Sequence, residues 1–220
     1  AFLLRADGRT APGCGRRGKK GFVVAGRLCY NEENRGWRRS MRYSANYVDS
    51  PLGRLLLAAQ DEGLCGVWME GQKYFAPGIL ERDLDWEDTA PLRTARRWLI
   101  AYFAGERPDV AELPLTPAGS DFRQTVWAEL CRIPYGQVVT YGQIADRVAH
   151  TLGRETMSAQ AVGGAVGHNP FSIVIPCHRV VGSDGSLTGY AGGIQKKLWL
   201  LEHEGVDLRT LHLPTHGTAL

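Results

Sequence analysis

Apolar positions in the first half of the chain follow two different periods. Short apolar or alternating runs predict strands at residues 43–48, 55–59 and 64–69, and the Ser-Pro-Leu-Gly sequence at 50–53 predicts a turn. Apolar residues then recur every three to four positions from Leu92 to Phe103, which predicts an amphipathic helix ended by Gly105. Residues 70–90 are polar, acidic and irregular, and 106–119 show no period, so the latter segment is predicted to link two halves.

Three helices are predicted in the second half. Ser120 is a plausible N-cap for the first, which ends at the Pro-Tyr-Gly sequence 134–136. Thr140 and Gln143 have the spacing of a capping box at the start of the second. After a predicted loop at 150–156, Ser158 can cap a third helix that runs to about residue 167. Two short helices joined by a turn indicate a helix-turn-helix.

The third predicted helix carries almost no side-chain bulk, and this permits two interpretations. Small residues allow close packing between helices, which is the commoner explanation for such a helix. Alternatively, a slim helix could press its backbone into the minor groove of DNA. The small residues are Ala159, Ala161, Gly163, Gly164 and Ala165.

The composition is that of a folded protein without a membrane span. Of 220 residues, 44% are hydrophobic and 22% charged, which argues against a largely disordered chain. No apolar run approaches the ~20 residues that a membrane helix needs, and no secretory apolar segment stands near the start. The five cysteines are an odd number without a CxxC pair, so they predict neither a disulfide framework nor a zinc site and suit a reducing compartment.

Charge is distributed unevenly along the chain. Residues 1–40 carry ten Lys and Arg against three acidic residues, whereas residues 41–220 carry sixteen against twenty. We interpret 1–40 as a basic, disordered arm that could help to hold nucleic acid, or as an extension from an upstream start site. Glu32, Glu33 and the scarcity of serine argue against a mitochondrial transit peptide.

The candidate chemistry lies after residue 171. An apolar run at 172–175 predicts a strand, and it is followed directly by Pro176, Cys177 and His178. A thiol held at a strand end beside an imidazole can become a nucleophile, because a cationic or hydrogen-bonded setting favours the thiolate. Adjacent Cys and His side chains do not easily touch, so we expect a bridging water and a buried carboxylate within 200–205 that orients the histidine. In isolation, such a pair is more often a structural cysteine beside an incidental histidine.

Four ordered motifs together resemble the O6-alkylguanine-DNA alkyltransferases. The resemblance is dense from about residue 120 to 205, looser over 41–104, and does not cover the arm or the residues after 206. The motifs are Pro134-Tyr135-Gly136-Gln137-Val138 with Tyr141; Ala161-Val162-Gly163-Gly164 with Gly167-His168-Asn169-Pro170; Ile175-Pro176-Cys177-His178-Arg179-Val180-Val181; and Gly189-Tyr190-Ala191-Gly192-Gly193 with Leu200-Leu201-Glu202-His203-Glu204-Gly205.

The resemblance implies two domains with different tasks. An N-terminal α/β domain with a ribonuclease-H-like sheet would occupy 41–105. After the linker 106–119, a mainly α-helical C-terminal domain at 120–207 would carry the helix-turn-helix, enter the minor groove and flip the damaged guanine out of the duplex. Residues 208–220 would form a tail.

The resemblance also implies a role for each motif residue. Cys177 would accept the alkyl group, His178 would act on it through water, and Glu204 would orient His178. Asn169 would hold the turn around the cysteine, and Tyr141 would meet the flipped base and the backbone phosphate. The remaining substrate or DNA contacts would come from Tyr190 as pocket wall, the Ala191 backbone at O6, the carbonyls of Cys177 and Val180 at the guanine amine, and Ala159, Gln160, Ala161 and Arg179.

Two departures from the family pattern affect the expected DNA contact. Many members place an arginine before Ala-Val-Gly, where it fills the gap left by the flipped base, but this chain has Gln160. The segment from 141 to 160 is also a few residues longer than usual, which could move that role to Arg154. Residues 120–207 hold seven basic against eight acidic residues, so the DNA grip must come from local geometry, helix N-termini and the arm.

These features predict a single-use DNA repair protein. Its partner would be double-stranded DNA carrying O6-alkylguanine, with O4-alkylthymine as a further substrate. We expect the protein to be a monomer inside the cell, and in a bacterium to lie in the cytoplasm. We expect no cofactor, no metal and no membrane association.

Three other hypotheses are weighed against the repair protein. A lesion sensor of the alkyltransferase-like type would lack the reactive cysteine, which this chain has at Cys177. A DNA-binding regulator would prefer a sequence rather than a lesion. A thiol hydrolase would need an acyl-substrate pocket that nothing else in the sequence supplies.

Overall fold

A computed structural model describes residues 42–214 of the chain, so the predicted arm at 1–40 and the last residues, 215–220, lie outside the described part. The first unit, residues 43–103, is built on a four-stranded sheet. Its strands are β1 (Tyr43–Val48), β2 (Leu55–Gln60), β3 (Gly63–Met69) and β4 (Leu84–Trp86), in the spatial order β3-β2-β1-β4. The pairs β1–β2 and β2–β3 are antiparallel, and β1–β4 is parallel.

The predicted strands β1 to β3 and the turn between the first two are confirmed. Ser50 accepts from Leu52 and donates to the carbonyl of Gly53, whose positive φ of 94° closes the turn. Strand β4 was missing from the sequence prediction, which described 70–90 as irregular. Three residues with one charged side chain give no periodicity, and β4 is fixed instead by pairing with β1 and by the ion pair between Arg42 and Asp85.

The predicted helix of the first half is α1 (Ala90–Phe103). Its buried face, which includes Leu92, Ala95 and Leu99, packs on one side of the sheet, where the core continues into the second unit. The opposite side of the sheet is covered by a smaller apolar cluster around Leu56 and Trp68.

The second unit contains four α-helices: α2 (Asp121–Cys131), α3 (Tyr141–Leu152), α4 (Ala159–Gly167) and α5 (Ile194–His203). The three predicted caps are confirmed, since Ser120, Thr140 and Ser158 each accept from a main-chain N–H in the following turn. A short parallel pair joins β5 (Val139–Thr140) to β6 (Val180–Val181).

Two local predictions in this half are wrong. The loop predicted from His150 begins only at Gly153, because α3 continues to Leu152 and Gly153 ends it in the left-handed conformation. The strand predicted at 172–175 is a tight turn in which Ile173 has φ 73°. All four residues are buried and apolar or small, and that pattern is the same for a buried turn as for a buried strand.

The edge of β3 that does not pair with β2 connects the two units. At one end, Leu64 exchanges main-chain hydrogen bonds with Pro114 and Thr116 of the predicted linker. Further along, Val67 N–H donates to the carbonyl of Pro170, and Ser172 N–H donates to the carbonyl of Val67, both at 2.8 Å. The first unit therefore holds the segment directly ahead of the cysteine.

Within residues 42–214 no helix is long and apolar enough to cross a membrane. The beginning of the predicted tail folds back on the second unit. Its residues 208–210 form a 3-10 turn, and Leu187 N–H donates to the carbonyl of His212.

Candidate active site

Cys177 lies at the start of a 3-10 turn, Cys177–Arg179, directly after Pro176. Its side chain is almost completely buried, with the residue 6% exposed. The turn ahead of it contains Ile173 in a backbone conformation that β-branched residues rarely adopt. A rigid, strained turn therefore sets the direction of the thiol.

Asn169 fixes that turn and also touches the sulfur. Its Nδ2 lies 2.8 Å from the carbonyl oxygen of Ile175, 3.2 Å from that of Phe171 and 3.1 Å from Sγ of Cys177. Its Oδ1 accepts from Phe171 N–H at 2.9 Å. Asn169 therefore bonds both ends of the turn, and its amide can donate a hydrogen bond to a thiolate.

His178 is fully buried, and its hydrogen bonds determine its tautomer. Nε2 lies 2.8 Å from Oε1 of Glu204, so this nitrogen carries the hydrogen and donates it to the carboxylate. Nδ1 is then the acceptor atom, and it has no partner among the described residues. Burial lowers the pKa of His178 and outweighs the opposing effect of Glu204, so the imidazole is neutral.

Glu204 is held ionised by several donors. Arg179 donates from Nε to Oε2 at 2.7 Å and from Nη2 to Oε1 at 2.9 Å, and Tyr102 donates from its hydroxyl to Oε1 at 2.8 Å. Burial opposes ionisation, but His178 and Arg179 together hold the pKa of Glu204 well below its usual range. Of the two acidic residues within 200–205, Glu204 is buried and Glu202 is exposed.

Arg179, for which the resemblance implies a contact with substrate or DNA, is held by partners within the protein. Its third contact runs from Nη1 to the carbonyl oxygen of Ile133 at 2.6 Å, and the residue is only 9% exposed. Buried charges need such partners because desolvation is costly. The described contacts make Arg179 part of the support for Glu204.

The surroundings of Cys177 act on the pKa of its thiol in opposite directions. Burial raises its pKa, whereas the amide of Asn169 and the charge of Lys197 lower it. Lys197 itself is fully buried; its Nζ donates to the carbonyl oxygen of Val180 at 2.5 Å and to that of Thr188 at 2.8 Å. Burial lowers the pKa of Lys197 to about 8, so most of the population is charged at neutral pH.

Two tyrosines flank the cysteine. The ring of Tyr190 lies edge-on to His178, with centroids 6.4 Å apart, and the carbonyl of the next residue, Ala191, accepts from Lys73 N–H at 2.9 Å. Tyr141, the first residue of α3, donates from its hydroxyl to the carbonyl of Thr188 at 3.2 Å. A Cβ on Gly189 would lie 2.4 Å from that hydroxyl oxygen, so glycine is required there for the tyrosine to reach this position.

The backbone carbonyls expected to bind the guanine amine already accept hydrogen bonds. The Cys177 carbonyl accepts from Val180 N–H, and the Val180 carbonyl accepts from Lys197. A carbonyl oxygen has two lone pairs, so each retains capacity for a second donor.

Helix α4 presents its slim, exposed side away from the core. Ala159, Gln160 and Ala161 are exposed at its N-terminal end. A Cβ on Gly164 would meet no neighbouring atom within 4 Å, whereas one on Gly163 would lie 3.8 Å from the ring of Tyr141. One side of the helix therefore packs beside Tyr141, and the other is open to a partner.

Sequence reasoning missed two residues of this site. Lys197 lies three and four positions before Leu200 and Leu201 on the buried face of α5, and a lysine at an apolar helical position was the available signal. Tyr102 was expected to be buried, but its contact with Glu204 spans 102 positions of sequence and left no local pattern. No group of three potential metal ligands occurs within residues 42–214.

Models of two domains of one protein family match the chain. The ribonuclease-like domain of 6-O-methylguanine DNA methyltransferase matches residues 41–117, and the DNA-binding domain of the same family matches residues 121–206. The methylated-DNA–protein-cysteine methyltransferase of Methanosarcina barkeri is 42% identical over 164 residues, which are 74% of this chain and 97% of that protein. The enzyme of the same name from Mycobacterium tuberculosis is 43% identical over 157 residues, 71% of this chain and 89% of that protein.

Solved structures agree with these matches. The crystal structure of Mycobacterium tuberculosis OGT in complex with DNA is similar with a TM-score of 0.65 and 41% identity, covering 74% of this chain and 93% of that one. The O6-methylguanine methyltransferase of the same organism matches with a TM-score of 0.60, 42% identity and coverage of 74% and 92%. The expected fold class, an α/β domain followed by a mainly α-helical domain, is confirmed.

Proposed function

Because the chain belongs to the 6-O-methylguanine DNA methyltransferase family, we propose that Cys177 is the residue to which it transfers alkyl groups from DNA. The observation that carries this assignment is the arrangement around the sulfur. A buried thiol is followed by a neutral histidine with a bare Nδ1, and Asn169 donates to the sulfur at 3.1 Å. A cysteine in a purely structural role needs none of these groups.

The reaction begins with loss of the thiol proton. His178 has its lone pair on Nδ1 and its hydrogen committed to Glu204, so it accepts the proton through a bridging water. The thiolate formed is stabilised by the Asn169 amide and by the charge of Lys197. Ionised Glu204, fixed by Arg179, stabilises the imidazolium that results.

Alkyl transfer is then a displacement at carbon. The sulfur attacks the alkyl carbon, the bond between that carbon and O6 breaks, and its electron pair passes to the guanine. The guanine anion takes up one proton from water, and the imidazolium of His178 releases to water the proton that it took from the thiol. The hydroxyl of Tyr141, which in the structure donates to the carbonyl of Thr188, turns from that carbonyl to donate to the purine as negative charge develops on it. The product is a thioether, which water does not cleave at useful rates, so each molecule acts once.

The substrate base must leave the duplex to reach a thiol that is 6% exposed. Helix α4 enters the minor groove with the side that carries Gln160 and Gly164, where the absence of bulk lets the backbone approach the DNA. The base is held between Tyr190 and the turn of Cys177, and the Ala191 backbone lies at O6. O4-alkylthymine, which also has an alkylated exocyclic oxygen, is the further substrate.

The protein acts as a monomer inside the cell, in a bacterium in the cytoplasm. Its proposed substrate is chromosomal DNA, and the catalytic groups from Asn169 to Glu204 come from one chain. The segment predicted to link the two units, 106–119, and the boundaries at 105 and 120 stay predictions of domain organisation.

Intact-mass spectrometry after incubation with a duplex containing one O6-methylguanine tests the assignment. The wild type should gain one methyl group at Cys177, and Cys177→Ala should gain none. Cys65→Ala is the matched control, since Cys65 lies on β3 with its sulfur near Thr116, away from the residues of the site. Methylation of a different residue, or no mass gain with retained lesion binding, would contradict the proposal, and the second result would favour the sensor hypothesis.

A further inference from the structure

The hydroxyl of Tyr102, a residue of the first unit, contacts Glu204, which is hydrogen-bonded to His178 in the second unit. Tyr102 belongs to α1, is 1% exposed, and donates to Oε1 of Glu204 at 2.8 Å. Its carbonyl oxygen lies 2.8 Å from Nε2 of His203, which fixes the end of α1 against α5. The hydroxyl therefore reaches the carboxylate from a backbone that is itself held in place.

The oxygen that accepts from Tyr102 is the same oxygen that accepts from His178. Oε1 of Glu204 receives His178 Nε2, Arg179 Nη2 and the Tyr102 hydroxyl, whereas Oε2 receives Arg179 Nε and, at 3.3 Å, Gly136 N–H. Each donor on a carboxylate oxygen withdraws part of its negative charge. Tyr102 and His178 consequently compete for the charge of one atom.

This competition affects the protonation of the imidazole. A carboxylate with full charge on Oε1 stabilises an imidazolium strongly, and one that shares its charge with a phenol stabilises it less. Burial, together with the neighbouring Glu204, raises the pKa of Tyr102 far above its usual value, so the hydroxyl stays a donor at every pH at which the protein is folded.

We propose that Tyr102 is a positioning residue for alkyl transfer, which holds Glu204 in place and keeps His178 in the neutral, proton-accepting form. The inference deepens the proposed function and rests on it. The first unit then has a part in the chemistry in addition to supporting the turn ahead of Cys177.

The other charged and titratable groups around the pair are accounted for. Arg179 and Lys197 disfavour the imidazolium, Glu204 favours it, and the ring of Tyr190 lies edge-on. Tyr135 lies near the carboxylate, but its hydroxyl donates to the carbonyl of His203 at 3.3 Å. Tyr102 is therefore the uncharged side chain that donates to Oε1, and its removal leaves the charged groups around the pair unchanged.

Tyr102→Phe tests the proposal, and Tyr135→Phe is its matched control. The ring of Tyr102 packs against Trp98, Phe103 and Tyr135 with centroids 5.4 to 6.2 Å apart, so phenylalanine retains the packing. The pKa of His178 is measured by NMR on protein labelled with ¹⁵N in the imidazole rings, and the rate of methyl transfer is measured in single turnover from pH 5 to 9.

Tyr102→Phe should raise the pKa of His178 by at least about half a unit. The acid limb of the pH–rate profile should move to higher pH by the same amount, because the imidazole must be neutral to accept the thiol proton. Tyr135→Phe should leave both values at those of the wild type. An unchanged or lowered His178 pKa in Tyr102→Phe, with only stability affected, would overturn the proposal.

One further variant, and the independence of the NMR titration from DNA, keep the test decisive. Incorporation of 3-fluorotyrosine at position 102 makes the hydroxyl a stronger donor, and it should lower the pKa of His178 even if the phenylalanine variant does not fold. The NMR titration needs no DNA. If the wild type failed to take up a methyl group, the proposed function would fail while the effect of Tyr102 on His178 could still be observed or refuted.

Discussion

The amide nitrogen of Asn169 lies 3.1 Å from the sulfur of Cys177. It also donates to the carbonyls of Phe171 and Ile175, at the two ends of the turn that precedes the cysteine. One side chain thus shapes the turn and contacts the nucleophile. Asn169→Ala should lower the free energy of unfolding by about 1–3 kcal/mol, because Phe171 N–H loses its buried acceptor. Urea denaturation measures this loss.

The same position separates shape from charge. Asn169→Asp retains the acceptor for Phe171 N–H but places a carboxylate beside the sulfur. It should raise the pKa of Cys177 and slow methyl transfer more than tenfold. It should also destabilise the protein at least as much as alanine does, because the buried carboxylate faces the carbonyl oxygens of Phe171 and Ile175. Thiol alkylation rates as a function of pH measure the pKa, and equal thiol pKa values in the aspartate variant and the wild type would refute this role.

Glu204→Gln should destabilise the protein strongly. The change leaves the guanidinium of Arg179 buried without its counter-charge, and removal of one partner of a buried ion pair costs about 3 kcal/mol or more. Glu202→Gln is the control, since Glu202 lies two positions before Glu204, near the end of α5, and is exposed. Similar denaturation midpoints for the two variants would contradict the buried ion pair.

His178 should make folding stability depend on pH between 7 and 5. Its pKa is lower in the folded protein than its ordinary 6.5, so the unfolded chain binds more protons in this range and stability decreases as the pH falls. The slope reaches at most about 1.4 kcal/mol per pH unit. His178→Gln should lose this contribution, and a comparison of urea midpoints at pH 5, 6 and 7 measures the difference. Parallel pH dependences would refute burial of a neutral imidazole.

Gly164→Leu separates the two interpretations of the slim helix. A Cβ at Gly164 meets nothing within 4 Å, and replacement of glycine in a helix stabilises it by roughly 0.5–1 kcal/mol. If this side of α4 enters the minor groove, the leucine should reduce affinity for lesion DNA more than tenfold while stability is kept. Fluorescence anisotropy with a labelled duplex measures binding, and unchanged affinity would place the DNA elsewhere.

Gln160→Arg should strengthen DNA binding. Gln160 is exposed at the N-terminal end of α4, where an added cation can reach a phosphate or fill the gap left by the flipped base. A new phosphate contact should make the slope of log K against log salt steeper by about 0.9. Gln160→Ala, which adds no charge, should leave the slope unchanged, and an identical slope for arginine would show that this end of α4 does not contact phosphate.

Local sequence determined most of the helices and strands. The helix starts were predicted from short-range signals, namely the cap residues Ser120, Thr140 and Ser158. Helix α1 was predicted from its apolar period, and the folded protein contains all four helices. Strand β4 and the turn at 172–175 were missed because their conformations come from partners distant in sequence. Residues 84–86 pair with β1, and 170–172 bond to Val67.

The sequence by itself determined the family and predicted the reactive cysteine, because both rest on residue order. Only the tertiary structure decided what surrounds that cysteine. It buries Arg179 against Glu204, it directs Lys197 to the carbonyls of Val180 and Thr188, and it brings Tyr102 to the carboxylate. The physical reason is that a buried charge or hydroxyl must find a partner wherever the packed chain provides one, and that partner need not be near in sequence.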